Sequence, residues 1–146
     1  MAAKRTAEAT WEHDLAKGQG HVKGLSGGLP ETAVSWAARS EASSGGKTSP
    51  EELLAAAHAS CYSMALSGGL GRGGTPPERL LVRATVTFDK VGDAWKVTTS
   101  ELVVTGKVPG ATAEKFAEAA KAAAEGCPIS GALRGNVVVT VHATLE

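Results

Sequence analysis

Ser49-Pro50-Glu51-Glu52-Leu53-Leu54-Ala55-Ala56-Ala57-His58-Ala59-Ser60-Cys61-Tyr62-Ser63-Met64-Ala65-Leu66 is the stretch that organises the rest of the chain. Ser49 can cap a helix, Pro50 suits the first helical position, and Glu52 completes a Ser-x-x-Glu capping box. A helix is expected from Pro50 to about residue 67, ended by Gly68-Gly69 and the flexible residues 71–77. Its alanines let another backbone approach closely, which predicts a buried helix. Cys61 sits in its middle. The only other cysteine, Cys127, lies in Gly126-Cys127-Pro128, at a helix break. One thiol held near a core and one at a mobile junction is how an attacking and a resolving thiol would be arranged.

Outward from that helix, the elements alternate. Residues 6–13, 20–25 and 33–38 read as short strands separated by Lys17-Gly18 and Gly27-Gly28-Leu29-Pro30. Residues 80–88 place Val82, Ala84, Val86 and Phe88 on one face and Arg83, Thr85 and Thr87 on the other. Val91-Gly92-Asp93 turns the chain back into a strand over 95–105, which makes a hairpin. Residues 112–125 predict a helix with Phe116, Ala119, Ala120 and Ala123 inward. A short helix follows from Pro128 to about residue 134, then a last strand over 136–145. The order βββ-α-ββ-αα-β is α+β, with mostly antiparallel pairing.

Bulk properties narrow the function. A chain of 146 residues suits one domain. Fifteen Lys+Arg balance 15 Asp+Glu, so neither nucleic acid nor an anionic membrane is an expected partner. The charged stretch 1–14 does not read as a signal peptide, and no apolar run approaches the ~20 residues of a membrane span. A cytoplasmic protein is expected, and there a cysteine pair points to catalysis or redox chemistry rather than to a structural staple.

A thiol attacks as its thiolate, and an unperturbed cysteine titrates near ~8.5. Burial among alanines raises that value. A reactive Cys61 therefore needs a cation. His58, three residues earlier on the same face, is one candidate. Arg39 is the stronger one, being permanently charged with a planar fork. Glu51 is the natural partner of Arg39. Glu51 and Cys61 stand ten residues apart, about 15 Å along a helix and roughly 80° around it. The expectation is therefore that Arg39 and Glu51 serve the Cys61 of a second subunit. Cys127 opens a helix, where backbone N–H groups favour a thiolate, as suits a leaving or resolving thiol.

The segment from Ser49 to Leu66 resembles the signature of the OsmC/Ohr family, the osmotically inducible and organic hydroperoxide resistance proteins. Glu125-Gly126-Cys127-Pro128-Ile129-Ser130 is similar to its second cysteine motif, and Thr10-Trp11-Glu12-His13-Asp14 and Asp89-Lys90-Val91 are similar to its OsmC branch. The Ohr branch carries its arginine on an early loop. Residues 18–23 here hold none, and Arg39 matches the OsmC position. The resemblance implies one OsmC-like domain over residues 1–146 and an intertwined homodimer with antiparallel sheets around central helices. It also implies a thiol peroxidase that reduces organic hydroperoxides, with Cys61 peroxidatic, Cys127 resolving, and Arg39 and Glu51 the activating pair. The implied cycle passes through a Cys61 sulfenic acid and a Cys61–Cys127 disulfide. An external dithiol, such as a lipoyl protein, reduces that disulfide, with no metal or bound cofactor. Met64 and Trp36 are the expected pocket lining.

The same residues admit plainer readings. A buried cysteine is often only a small hydrophobe. Glu52 is read as a cap, Glu51 could serve only the helix dipole, His58 could be a satisfied core histidine, and Arg39 a surface ion-pair residue. The glycines of residues 68–74 follow a helix rather than opening one, so they form no phosphate cradle. His13, His21 and His142 lack zinc spacing. Two other functions stay open: a Cys-His hydrolase or acyltransferase built on Cys61 and His58, and a non-catalytic dimeric ligand-binding stress protein.

Overall fold

The serine half of the capping box forms, the Glu52 carboxylate taking the Thr48 hydroxyl rather than the Ser49 N–H, and α2 grows from it over Pro50–Arg72. The Ser49 hydroxyl accepts the Glu52 N–H at 3.1 Å. The computed structural model describes all residues, Met1–Glu146. The chain divides into two compact units, Met1–Leu53 and Leu54–Glu146, with the boundary inside α2.

In the first unit, β1 (Ala7–Glu12), β2 (Gln19–Gly24) and β3 (Thr32–Val34) form an antiparallel sheet in the order β1-β2-β3. Gly20 permits this pairing, because a Cβ there would run into the Thr10 carbonyl. The strand expected over 33–38 stops at Val34. Ser35 then caps a short helix, α1 (Trp36–Ser40), its hydroxyl accepting the Ala38 N–H at 3.1 Å. The capping serine and the helix formers after it end the strand earlier than the flanking turn signals suggested.

In the second unit, β4 (Arg79–Val91), β5 (Ala94–Lys107) and β6 (Val138–Leu145) form a sheet in the order β4-β5-β6. The expected hairpin is present, with Gly92 at φ 64° in its turn. Its alternation holds: Val82, Ala84, Val86 and Phe88 are half-buried, and Arg83, Thr85 and Thr87 are exposed. β6 joins β5 in parallel. Between them α3 (Ala113–Gly126) and α4 (Pro128–Leu133) carry the chain back to the end where β5 began. The sequence order of elements is thus recovered, with α1 added.

α2 runs past the expected stop at Gly68-Gly69. Leu66 and Leu70 are buried on either side of the two glycines, and their packing outweighs a helix-interior cost of roughly 1 kcal/mol per glycine. The true stop is Gly74, at φ 83°, where the Thr75 N–H reaches the Leu70 carbonyl at 3.0 Å and the Gly74 N–H the Gly71 carbonyl at 3.1 Å. That pair of bonds needs a left-handed residue, which glycine supplies.

The core joins Tyr62, Leu66 and Leu70 of α2 to Leu102 and Val104 of β5 and to Phe116, Ala120 and Ala123 of α3. The Tyr62 hydroxyl donates to the Ala120 carbonyl at 2.9 Å, tying α2 to α3 one residue after Cys61. Phe116 seats in a notch made by Gly106. A Cβ at that glycine would stand 2.5 Å from the Phe116 Cζ. Gly106→Ala should therefore lower unfolding free energy by roughly 1–3 kcal/mol, read by urea titration, and an unchanged midpoint would show the notch to be slack.

Candidate active site

Two local stops bring the cysteines together. α3 ends at Gly126, and Pro128, lacking an N–H, can only begin a new helix. Cys127 lies between them in extended backbone, φ −73° and ψ 119°. It is buried and belongs to the core, whereas Cys61 is half-exposed on α2. Their sulfurs are 3.3 Å apart, a thiol–sulfur hydrogen bond between two free thiols. A disulfide needs ~2.05 Å, so a small local shift would close the bond.

Cys61 opens on a cavity of about 540 Å³ lined by Met64, Ala65, Ala119, Ala123 and Pro128, with Arg72 farther along α2. The expected lining by Met64 is present there. Trp36 instead lines a cavity of the first unit with Arg39.

The two thiols differ in acidity. Burial pushes Cys61 up, the Ile129 N–H acts in the opposite sense, and the neighbouring Cys127 raises it further. Burial also opposes charge on Cys127. The Ser130 N–H, the Cys61 thiol, the Ser130 hydroxyl and the Ile129 N–H together outweigh it, and the net shift is downward. The Cys127 sulfur makes no formed cap bond to α4, so the N–H groups act on it as oriented dipoles. Within this unit the more acidic thiol is thus Cys127.

Arg39 and Glu51 meet inside the first unit. The Arg39 Nε donates to both Glu51 oxygens at 3.1 and 3.2 Å, and Nη2 donates to Oε1 at 2.9 Å. The glutamate side chain is 8% exposed and the arginine 33%. A planar fork locked on a nearly buried carboxylate is a directed cation, not a loose surface charge. Glu52, expected to cap the helix, accepts the Thr48 hydroxyl at 2.6 Å instead of the Ser49 N–H.

His58 is fully buried. Its Nδ1 lies 2.7 Å from Ser100 Oγ and its Nε2 2.8 Å from Ser130 Oγ. Burial lowers its pKa, which keeps the ring neutral. Neither serine stood out in the sequence. The available signal was Ser100 on the inward face of β5, in step with Leu102 and Val104, because a polar residue at a core position needs a partner.

The arrangement places two free thiols in contact on an α+β scaffold. The OsmC-like protein family model matches residues 43–142. Peroxiredoxin OsmC of Escherichia coli K12 is 37% identical over 139 residues, covering 95% of this chain and 96% of that protein. The organic hydroperoxide resistance protein-like 2 of Staphylococcus epidermidis is 31% identical, covering 70% of this chain and 71% of its own length. The crystal structure of the organic hydroperoxide resistance protein OhrB of Bacillus subtilis superposes with a TM-score of 0.73 at 28% identity, covering 95% of this chain and 98% of that one. The chain belongs to the OsmC-like family.

The buried neutral His58 gives a stability prediction. Its folded pKa is depressed from 6.5, so its contribution is complete above that pH. It is lost as pH falls, because the unfolded chain takes up a proton that the folded chain refuses. Thermal melts should shift downward as pH drops below 6.5. A His58→Gln variant that melts with the same pH dependence as wild type would assign the loss elsewhere.

Proposed function

We propose that this protein is a thiol-dependent peroxidase that reduces organic hydroperoxides to alcohols, with Cys61 attacking and Cys127 resolving. The observation that carries the reading is the 3.3 Å approach of a cavity-lining thiol to a buried one. The names of the relatives, a peroxiredoxin and organic hydroperoxide resistance proteins, point the same way.

The chemistry runs as follows. The Cys61 thiolate attacks the hydroperoxide, the O–O bond breaks, and the alkoxide leaves and is protonated to the alcohol. Cys61 is left as sulfenic acid. The Cys127 sulfur then bonds to Cys61 Sγ, and its proton leaves with the hydroxyl as water. An external dithiol, of the lipoyl kind or similar, attacks the disulfide and restores two thiols. The apolar walls around Cys61 favour bulky organic peroxides over hydrogen peroxide.

Cys61 becomes a thiolate only if a cation reaches it. Arg39, aimed by Glu51, is the proposed source, supplied by the partner chain of a homodimer. Glu51 stands about 15 Å of helix away from the Cys61 of its own chain, so a second copy is the simpler supplier. The cytoplasm, where dithiols are kept reduced, is the proposed compartment. The Cys-His hydrolase reading finds less support, because both His58 nitrogens are engaged by serines.

With cumene hydroperoxide and a dithiol, wild type should turn over and Cys61→Ser should not. Arg39→Ala should lose ~10²–10³-fold in kcat/KM, the usual cost of a lost positioned charge. Mixing Arg39→Ala chains with Cys61→Ser chains should restore activity that neither has alone. No turnover by wild type would reject the peroxidase, and no restoration on mixing would reject supply from the partner.

A further inference from the structure

The cavity at Cys61 runs along one face of α2. Cys61, Ala65, Gly68 and Arg72 recur at helical spacing on its floor, and small residues of α3 wall it opposite. The thiol stands at one end and the guanidinium at the other. Gly68 and Gly69 leave the floor between them bare. A Cβ on Gly69 would meet no other atom within 4 Å, and one on Gly68 would meet only the Arg72 Nη1, at 3.3 Å. Packing demands neither glycine, whereas a bound chain lying along the helix needs both to be small. The same contact places the cation. Arg72 is the last residue of α2, where a charge serving only the helix dipole would lie on the final carbonyls. Its Nη1 lies instead back over Gly68, one turn toward Cys61. From Gly68 to Cys61 is about 10 Å of helical rise and roughly 20° of rotation. Arg72 is exposed and belongs to none of the chain's ion pairs, and no acidic residue lines the cavity with it.

We propose that Arg72 is a specificity-determining residue that selects organic hydroperoxides carrying a carboxylate at the far end of an apolar chain. The planar fork takes the carboxylate, the alkyl chain lies over Gly68 and Ala65, and the hydroperoxide reaches Cys61. One placed charge in an otherwise apolar trough fixes which end of a chain meets the thiol. Arg39 acts at the reacting oxygens and Arg72 at the opposite end, so the two arginines divide activation from selection. The Cys61 thiolate takes the terminal oxygen, the O–O bond breaks, and the alkoxide is protonated. The product leaves as the hydroxy acid, its carboxylate unchanged.

The substrate class rests on the peroxidase reading, so one arm of the test uses no peroxide. In wild type, octanoate should slow the alkylation of Cys61 by iodoacetamide, followed by peptide mass, more than octanol does at the same concentration. That difference should vanish in Arg72→Gln and persist in Arg72→Lys. The second arm compares the ω-hydroperoxide of octanoic acid with its methyl ester, with dihydrolipoamide as reductant. Wild type should favour the acid about tenfold in kcat/KM, through KM, the scale of one hydrogen bond to a charged group. Arg72→Gln should abolish the preference and Arg72→Lys should keep most of it. The preference should shrink as salt rises, because the cation is exposed. Equal protection by octanoate and octanol in wild type, or an acid preference that survives Arg72→Gln, would overturn the proposal. Turnover of neither hydroperoxide would reject the peroxidase reading and leave the octanoate arm to decide the anion site.

Discussion

The contact between the Cys61 and Cys127 sulfurs depends on one constraint, the interruption of the chain at Gly126-Cys127-Pro128 against the flank of α2. A continuous helix would carry the sulfur of residue 127 onward along the α3 axis. The break turns it back. What holds the break in place is ordinary packing: the Tyr62 hydroxyl on the Ala120 carbonyl, and Phe116 in the Gly106 notch. A thiol on one helix and a thiol at the end of another keep their separation only if the helices cannot slide. Those two contacts oppose sliding at the start and the middle of α3.

The site is also asymmetric in charge. Burial alone would make both thiols poor nucleophiles. The groups at the start of α4 reverse that for Cys127 and leave Cys61 raised. The asymmetry suits a pair in which one sulfur waits for an external cation and the other is a ready leaving group. The locked Arg39–Glu51 pair has the geometry of such a cation, since its carboxylate holds the guanidinium in one orientation. Arg72 stands along the wall of the Cys61 cavity, the one charged residue among alanines, glycines, Met64 and Pro128.

Much of this was legible in the sequence. Capping chemistry located the start of α2, alternation located the β4–β5 hairpin and β6, and the cysteine motifs located the thiols. The Arg39–Glu51 pair was legible from charge logic alone. Where the sequence misled, a local signal competed with a stronger one. Gly68-Gly69 signals a stop, yet the buried leucines on both sides carry the helix through. The residues after Val34 carry no turn signal to end a strand, yet Ser35 offers a helix cap. The Ser100–His58–Ser130 chain was illegible because its members stand 42 and 72 residues apart, and only the packing of β5 and α4 on α2 joins them.

The most direct test of the account is the mass of the protein after one equivalent of cumene hydroperoxide, with peptide mapping. The account predicts a loss of two hydrogens and a crosslinked peptide joining Cys61 to Cys127. Added oxygen on Cys127 with Cys61 still a free thiol would contradict it, because the attacking and resolving roles would then be reversed.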